Sequence, residues 1–466
     1  KATATKKNSF NVFIPEEDTP VSIDLNEMIV EKQSEASIFH VISDDLTNPD
    51  ITKAKEEEIK KFKEFGVFEE VQDTGQTAIT CRWVITSKGD KVHKARCVAR
   101  GFQEVEVPQS DAPTVNKISK RLMFAIAVCN KWEIKALDIT SAFLQADKID
   151  RDLYVEPPKD IRRRGILWKL NKPLYGLGDS ARKWYFTLRR TLLEAGCVVS
   201  QLDNSIFNYF DDKNQIAGIV VTHVDDLLYA RNAKFYKEVM RKITTCFKIS
   251  KMNSKDFSYL GWSIKQQGDA ITVDQREYCE KIQPVSMDRR NKDLERPLTS
   301  REKGLYQETL GKLLWISSQT RPDLSFDTME LSTYTSSVKV KHMDILNKVV
   351  KKVKFGPREM KFNRMDLEKD QIKVIFYSDA SLGNLPNKAH SGRGYLVFLS
   401  DGHQASLIAW SSNKIKRVVH SVYGAETLGC VDGMSAAIYI RQLLSEMLYN
   451  DARKKVIPIY GFIDSN

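Results

Sequence analysis

Apolar and polar positions alternate with changing period along the chain and mark out its elements. From Asn48, NPDITKAKEEEIKKFKEF reads as a capped helix with apolar positions at Ile59, Phe62 and Phe65 and Gly66 as its stop. TAITCRWVITS and KARCVARGF read as two strands around the turn Lys88-Gly89-Asp90. Residues 119–130 predict an apolar helix, after which KWEIKALDITSAFL is a buried strand leaving into a helical turn. Trp184, Leu188 and Leu192, at four-residue steps, predict a helix over 180–195. NQIAGIVVTHVDDLLYARN predicts a β-hairpin with acid at its tip. Residues 301–355 are mostly helical and stop at Gly356-Pro357, and 361–371 read as a polar linker. From Ile372 a new α/β pattern begins: KVIFYSD, a hairpin around Ser391-Gly392-Arg393-Gly394, SLIAWSS, a helix from Gly424, and a last strand in VIPIYGFIDSN. Residues 1–40 are polar, carry Pro15, Pro20 and the run Glu16-Glu17-Asp18, and read as an acidic tether.

Length and composition narrow the class. A chain of 466 residues, 42% hydrophobic, is expected to form about three domains with sizeable cores. No run of about 18 apolar residues occurs, so no membrane span is expected, and KATATKKNSFNVF has no apolar signal core. Seven scattered cysteines without CxxC, and seven histidines without zinc spacing, disfavour a disulfide framework or structural zinc and suit a reducing compartment. Residues 1–58 carry a net −7, which leaves +18 on the rest of a chain whose total is +11. A basic body suits a polyanionic partner such as nucleic acid; a solvated surface is the plainer alternative.

Three acids carry the candidate chemistry. Asp138 ends an apolar strand, and Asp225 and Asp226 sit where IAGIVVTHV turns back into LLYA. Two carboxylates about 4 Å apart repel by roughly 4 kcal/mol at an effective dielectric of about 20. If the three converge, a cation belongs among them, and an oxygen-only donor set suits Mg²⁺ or Mn²⁺. Otherwise Asp225-Asp226 is a solvated turn and Asp138 an unrelated strand end.

The surrounding residues extend this reading. WVITSKGDKVHKARCVARGF, LDITSAFLQADKIDRDLYVEPP, WKLNKPLYGLGDSARKWY, QLDNSIF, THVDDLLYA, FSYLGWSI and YQETLGKLLWISSQTRPDLSF occur in that order. The chain thereby resembles, over about residues 40–466, the reverse transcriptase of copia-type (Pseudoviridae) LTR retrotransposons. The resemblance implies that Asp138, Asp225 and Asp226 are the catalytic, metal-binding acids, with Ile139 lending a backbone carbonyl. Phe143 falls at the aromatic gate beneath the sugar of the incoming nucleotide, or is a plain core aromatic. Ser141 and Ala142 would present N–H groups to the triphosphate. Lys88, Lys94, Arg96 and Arg100 lie near the fingers loop. Lys88 and Arg96 are expected to touch triphosphate, the alternatives being template backbone or solvent. Tyr175 and Gly176 match the core of a segment lining the nucleotide and template side, the glycine allowing close approach of the templating base. Leu260, Gly261 and Trp262 match the primer grip, with Trp262 alternatively a core residue. Arg321-Pro322-Asp323 matches a signature read here as structural.

Two departures stand out. After Gly176-Leu177 the family usually reads Lys-Gln-Ala-Pro, where this chain has Gly178-Asp179-Ser180-Ala181, which puts the local loop shape in doubt. The family's Tyr-Val-Asp-Asp is His223-Val224-Asp225-Asp226 here, a neutral replacement or one that alters primer positioning.

From residue 372 the sequence resembles a ribonuclease H domain, through FYSDAS with Asp379, SGRGYLVFL, IAWSSNK, SVYGAETLGCV with Glu426, and YGFIDSN with Asp464. The resemblance makes Asp379, Glu426 and Asp464 catalytic, metal-binding acids. A fourth family acid does not occur within these residues, so a domain truncated at its C-terminus is expected and its cleavage activity stays open.

The expected fold is α+β: a right-hand polymerase with an acidic linker over 1–40, fingers and palm over 41–265 and thumb with connection helices over 266–365. An α/β ribonuclease H-like domain would follow over 371–466. The expected function is RNA- and DNA-directed DNA synthesis with two Mg²⁺ ions per active site, Mn²⁺ being the alternative. Expected partners are RNA template, DNA primer–template, RNA–DNA hybrid and dNTPs, together with integrase and Gag products of one polyprotein. No membrane is expected; a dimer is open, and the cytoplasm within virus-like particles, or the nucleus, is the expected location. Two alternatives are a domesticated non-catalytic nucleic-acid-binding protein and an RNA-directed RNA polymerase. The retained acids speak against the first, and Phe143 with the ribonuclease H-like segment against the second.

Overall fold

The computed structural model describes residues 39–41, 48–88, 92–106, 109–287, 293–356, 358–367, 372–385 and 390–463. In chain order its first strands and helix are β1 (Phe39–Val41), α1 (Pro49–Glu64), β2 (Phe68–Gln72), β3 (Ala78–Lys88) and β4 (Val92–Ala99). Then come α2 (Lys117–Cys129), β5 (Glu133–Ile139), β6 (Tyr154–Glu156), β7 (Ile166–Leu170) and α3 (Ser180–Glu194). A run of strands follows: β8 (Val198–Val199), β9 (Ile206–Phe210), β10 (Ile216–His223) and β11 (Asp226–Arg231). Next are α4 (Arg241–Cys246), β12 (Ile249–Ser254), β13 (Asp256–Tyr259), β14 (Trp262–Gln267), β15 (Ala270–Asp274) and α5 (Arg276–Lys281). Three helices, α6 (Ser300–Gln319), α7 (Ser325–Thr333) and α8 (Val340–Phe355), lead to β16 (Met360–Asn363). The last elements are β17 (Lys373–Ser381), β18 (Gly392–Ser400), β19 (Ala405–Lys414), α9 (Val422–Tyr449) and β20 (Ile459–Ile463). Helix and sheet are thus mixed without regular alternation, an α+β arrangement.

The central sheet runs β12-β5-β11-β10-β9-β8. Its strands read as nearly unbroken apolar runs because both faces are covered. Ile134, Ala136, Leu228, Ala230, Ile219 and Val221 face the core containing α2. Leu137, Ile139, Leu227, Tyr229 and Val220 join Trp184, Leu188 and Leu192 of α3 on the other side. A second sheet, β1-β3-β6-β7-β2 with β4 also on β3, lies under α1. α1 begins where expected, with the Asn48 side chain accepting from Asp50 N at 2.9 Å and Pro49 at its first position. Its buried residues are Ile51, Lys55, Glu58 and Phe62, with Ile59 and Phe65 partly buried against the same core, so two charged side chains share the apolar face.

The predicted linker over 361–371 is corrected in part. Met360–Asn363 is a strand, β16, completing the sheet β13-β14-β15-β16 through the pair Ala270↔Asn363. Met360 and Phe362 alternate inward, a period too short to detect beside polar neighbours. The expected boundary at 265 also falls inside β14, whose neighbours β13 and β15 lie on either side of it in sequence.

One apolar core joins α2, the β13–β16 sheet and the C-terminal sheet β19-β18-β17-β20, on which α9 packs. Arg121 of α2 fastens these parts together. Fully buried, it donates to the carbonyls of Ile408 (3.0 Å), Ser318 (3.1 Å) and Gln319 (2.6 Å) and stacks 3.8 Å over Trp410. Glu446 of α9 accepts from Ser200 and from Gln201 N, and Tyr439 meets Asn116 at 3.1 Å. Arg121→Met would leave three buried carbonyls without this donor, each costing about 1–3 kcal/mol, offset partly by the charge no longer buried. Urea unfolding should show a loss on the order of 3 kcal/mol; an unchanged midpoint would show that the carbonyls find other donors.

Candidate active site

Strand register builds the first site. β11 lies antiparallel to β5 with Asp226 paired directly to Asp138. Residues so paired have Cα atoms about 4.5–5.5 Å apart, and like charges there destabilise the sheet. Asp225 belongs to the turn between β10 and β11, where His223 pairs with Asp226. Its carbonyl accepts from Ile139 N at 3.3 Å, tying the turn to the residue after Asp138. Val224 holds a left-handed φ of 56°, costly for a β-branched side chain. Its carbonyl is fixed by the buried Trp184 indole at 2.7 Å. Asp138 is exposed and Asp225 and Asp226 half-buried, so the trio opens to solvent. On the far side of Asp138, Ser250 of β12 bonds its carboxylate and Lys251 is its register partner. Among the described residues, no three His, Cys, Asp or Glu side chains are gathered closely enough to hold an ion as they stand. The backbone juxtaposes the acids; their side chains would have to turn inward around a cation.

Beside the acids lies a polar and aromatic wall. Ser141 takes a left-handed φ of 49°, and Ala142, buried, starts a single 3₁₀ turn over Ala142–Gln145. Ile139 is buried, with its side chain in the core. Phe143 is half-buried with its ring 5.6 Å from that of Tyr175, whose hydroxyl meets Ser141. The Arg96 guanidinium lies 5.9 Å over the Tyr175 ring. Burial pushes the Tyr175 hydroxyl well above its ordinary value, so it stays protonated. Crowding around its ammonium, then the like charges of Arg96 and Lys61, hold Lys94 below the usual lysine value, although the side chain as a whole is exposed. Asp138 is within electrostatic reach of Lys94. Lys88 is a strand residue at the end of β3; its side chain lies outside the described residues.

One expected site residue has a packing reason of its own, and the role of another changes. Gly176 has φ +90°, and a Cβ there would sit 2.1 Å from the Ala99 carbonyl. Close packing against the end of β4, sealed by Ala99 N→Tyr175 O (2.8 Å) and Gly101 N→Gly176 O (3.2 Å), is by itself enough to require the glycine. Leu260 and Gly261, both at positive φ, form the two-residue turn between β13 and β14. Trp262, however, is 0% exposed. It bonds Gln319 at 3.0 Å beneath the Lys120 ammonium, so its ring belongs to the core and is not available to a primer. Tyr259, just before the turn, reaches the Asp226 carbonyl at 3.4 Å and sets this hairpin beside the acids. Arg321 is buried on Asp323 through two 2.8 Å bonds, as a structural role requires.

The Gly178-Asp179-Ser180-Ala181 departure has a structural counterpart. Asp179, just before α3, is 3% exposed and is held by Arg151 at 2.5 and 3.1 Å. Arg151 also holds Glu104, 4% exposed, at 2.8 Å in the loop beyond β4. An ionic bridge thus ties the loop after β4 to the start of α3. Neither Arg151 nor Glu104 stood out in the sequence, since each lies far from Asp179 along the chain.

The second acid group is on the C-terminal sheet. Asp379 is an exposed residue of β17, paired with Gly394 of β18. Glu426, in the first turns of α9, is buried and accepts from Ala380 N at 3.2 Å. Gly429 of α9 lies beside β17, where a Cβ would make an ordinary contact with the Asp379 carbonyl at 3.4 Å. Asp464 lies outside the described residues; Ile463, the last described residue of β20, pairs with Ser378.

Residues 66–293 match the reverse transcriptase (RNA-dependent DNA polymerase) family. This segment is a reverse transcriptase domain, and the curated relatives of the chain are Pol polyproteins of copia-type transposons. The chain is 28% identical over 409 residues to the retrovirus-related Pol polyprotein from transposon RE1 of Arabidopsis thaliana, which covers 82% of this chain and 27% of the relative. It is 24% identical over 455 residues to the corresponding polyprotein of transposon TNT 1-94 of Nicotiana tabacum, covering 90% and 33%. The chain thus spans a quarter to a third of these curated relatives. A foamy viral protease-reverse transcriptase solved with double-stranded DNA shares the fold with a TM-score of 0.53 at 14% identity, over 92% of this chain and 66% of that one. A foamy viral protease-reverse transcriptase in complex with an RNA/DNA hybrid gives 0.51 at 13%, over 95% and 55%.

The first acid trio and its wall lie inside the reverse transcriptase domain, whereas α1, Asp379 and Glu426 lie outside the matched residues. The Arg151 bridge is internal to it and testable. Arg151→Gln would leave two buried carboxylates unpaired, and unfolding should show a loss of about 3–5 kcal/mol. Adding Glu104→Gln and Asp179→Asn should recover most of it; a single variant as stable as wild type would show the bridge to be incidental.

Proposed function

We propose that the reverse transcriptase domain is an active RNA- and DNA-directed DNA polymerase that copies template RNA into cDNA with two divalent metal ions. The observation that carries this reading is the pairing of Asp226 with Asp138 beside the Asp225 turn. A pure nucleic-acid binder gains nothing from carboxylates in a phosphate groove, and opposed acids weaken a sheet. The donor set fits Mg²⁺: three carboxylates open to solvent and oxygen ligands only. Asp138, Asp225 and Asp226 would hold the ions, with the Ile139 carbonyl as a further donor. When bound, such an ion pair would activate the primer 3′-hydroxyl and stabilise the departing pyrophosphate.

The chain's own residues would do the rest. Arg96, on the Tyr175 ring, would take a phosphate with its planar fork, and Lys94 would add a point charge. Lys88 would contribute from the end of β3. Ser141 and Ala142 would offer backbone N–H groups. Phe143 would lie under the sugar, where a ribose 2′-hydroxyl meets the ring face. The Leu260-Gly261 turn would press on the primer terminus. Asp379, Glu426 and Asp464 would form a ribonuclease H-like metal site acting on the RNA strand of a hybrid. Fingers and palm would occupy the chain to the β13–β14 hairpin, α6–α8 the thumb and connection, and β17–β20 with α9 the ribonuclease H-like unit.

Primer extension with Mg²⁺ and dNTPs on an RNA template should succeed. Asp225→Asn should reduce it by about 10²–10³-fold, the scale of losing one preorganised electrostatic group; full activity in that variant refutes the metal assignment. Phe143→Ala should raise ribonucleotide incorporation relative to dNTP, and unchanged sugar selectivity removes the gate.

A further inference from the structure

The stripe of α1 that faces the sheet contains two charged residues, and they are not equivalent. Lys55 is satisfied: it pairs with Asp160 at 2.7 Å and lies over Trp83. Glu58 is not. It is 2% exposed, and only one of its oxygens is engaged, by Lys61 at 3.2 Å. Its Oε1 is buried and has no hydrogen-bond partner among the described residues. A buried carboxylate left half-satisfied is costly, and such a cost in a folded protein calls for a use.

α1 packs directly on β4, the strand that carries Lys94 and Arg96 at the edge of the proposed nucleotide site. Arg96 and Lys94 of β4 lie within its electrostatic reach, as does Tyr175, on whose ring Arg96 sits. Lys94, Arg96 and Lys61 repel one another, and Glu58 is the acid of α1 that opposes this repulsion; Asp138 acts on Lys94 from the central sheet. Burial raises the Glu58 carboxyl above its ordinary value, and Lys61, Arg96 and Lys94 pull it back down, which marks the same coupling from the acid's side.

We propose that Glu58 is a positioning residue for the incoming nucleotide: its buried carboxylate keeps Lys94 and Arg96 side by side next to Tyr175 so that both meet the triphosphate. The inference rests on the polymerase reading and deepens it. Glu58 touches no reacting atom and lies outside the residues that match the reverse transcriptase family. Its effect should fall on nucleotide binding rather than on the chemical step.

The test uses the full chain in two assays: Mg²⁺ primer extension with varied dNTP, and calorimetric titration with tripolyphosphate. Glu58→Gln should raise the KM for dNTP about tenfold with kcat within about twofold, and weaken tripolyphosphate by a similar factor. Its Tm should not fall, because an imperfectly compensated buried charge is removed. Glu58→Asp, which keeps the charge but withdraws it by one methylene, should give a KM between the two. In an Arg96→Gln background the Glu58→Gln effect should shrink, since the pair acts as a unit. Unchanged KM and tripolyphosphate affinity in folded Glu58→Gln, or full additivity with Arg96→Gln, overturns the proposal. If Glu58→Gln does not fold, a Glu58→Asp enzyme with wild-type KM overturns it equally. Wild-type protein that extends no primer defeats the polymerase reading instead, and the tripolyphosphate titration then decides this one.

Discussion

The pairing of β11 with β5 is the constraint on which the rest of the molecule depends. It sets Asp226 against Asp138, the least comfortable arrangement for two acids in a sheet. Everything nearby resists the tendency of those strands to part. The strands are apolar on both faces and clamped between α2 on one side and α3 on the other. The Val224 carbonyl is pinned by Trp184, and the Asp225 carbonyl by Ile139 N. Electrostatic discomfort at the centre is sustained by ordinary hydrophobic packing around it.

Much of this was legible in the sequence for a simple reason. The hairpin, the strand ending in Asp138 and the helix at 180–195 are held by continuous apolar runs or clean four-residue steps, which local patterning reveals. The acid-bearing positions were legible because acids inside such runs have no folding rationale. Less visible was whatever depends on contacts distant in sequence. Trp262 sits in a grip-like motif, yet its ring is drawn into the core by Gln319 and Lys120. Gly176 is required by the backbone of Ala99, which no local pattern records. β16 is a strand because β15 lies ready to pair with it. In α1 the apolar residues marked the packed face, with Phe62 buried and Ile59 and Phe65 partly so, but Lys55 and Glu58 share that face in positions that hydrophobicity alone would never assign them.

The Tyr175 side of the site is held together differently. The loop after β4, the Tyr175-Gly176 turn and the start of α3 are joined by main-chain bonds and by the Arg151 bridge to Glu104 and Asp179. Where the family sequence supplies a basic residue and a proline to shape this corner, the present chain relies on charge pairing between segments. Such pairing is geometrically specific, because a planar guanidinium accepts carboxylates only in its own plane.

The shared core between α2, β13–β16 and the C-terminal sheet has a consequence for spacing. The strands and helix that carry Asp138 with Asp226, and Asp379 with Glu426, contribute to one packed interior, stitched by Arg121 and Glu446. The separation of the two acid pairs is therefore a property of side-chain packing: neither pair can shift against the other without opening the interior they share.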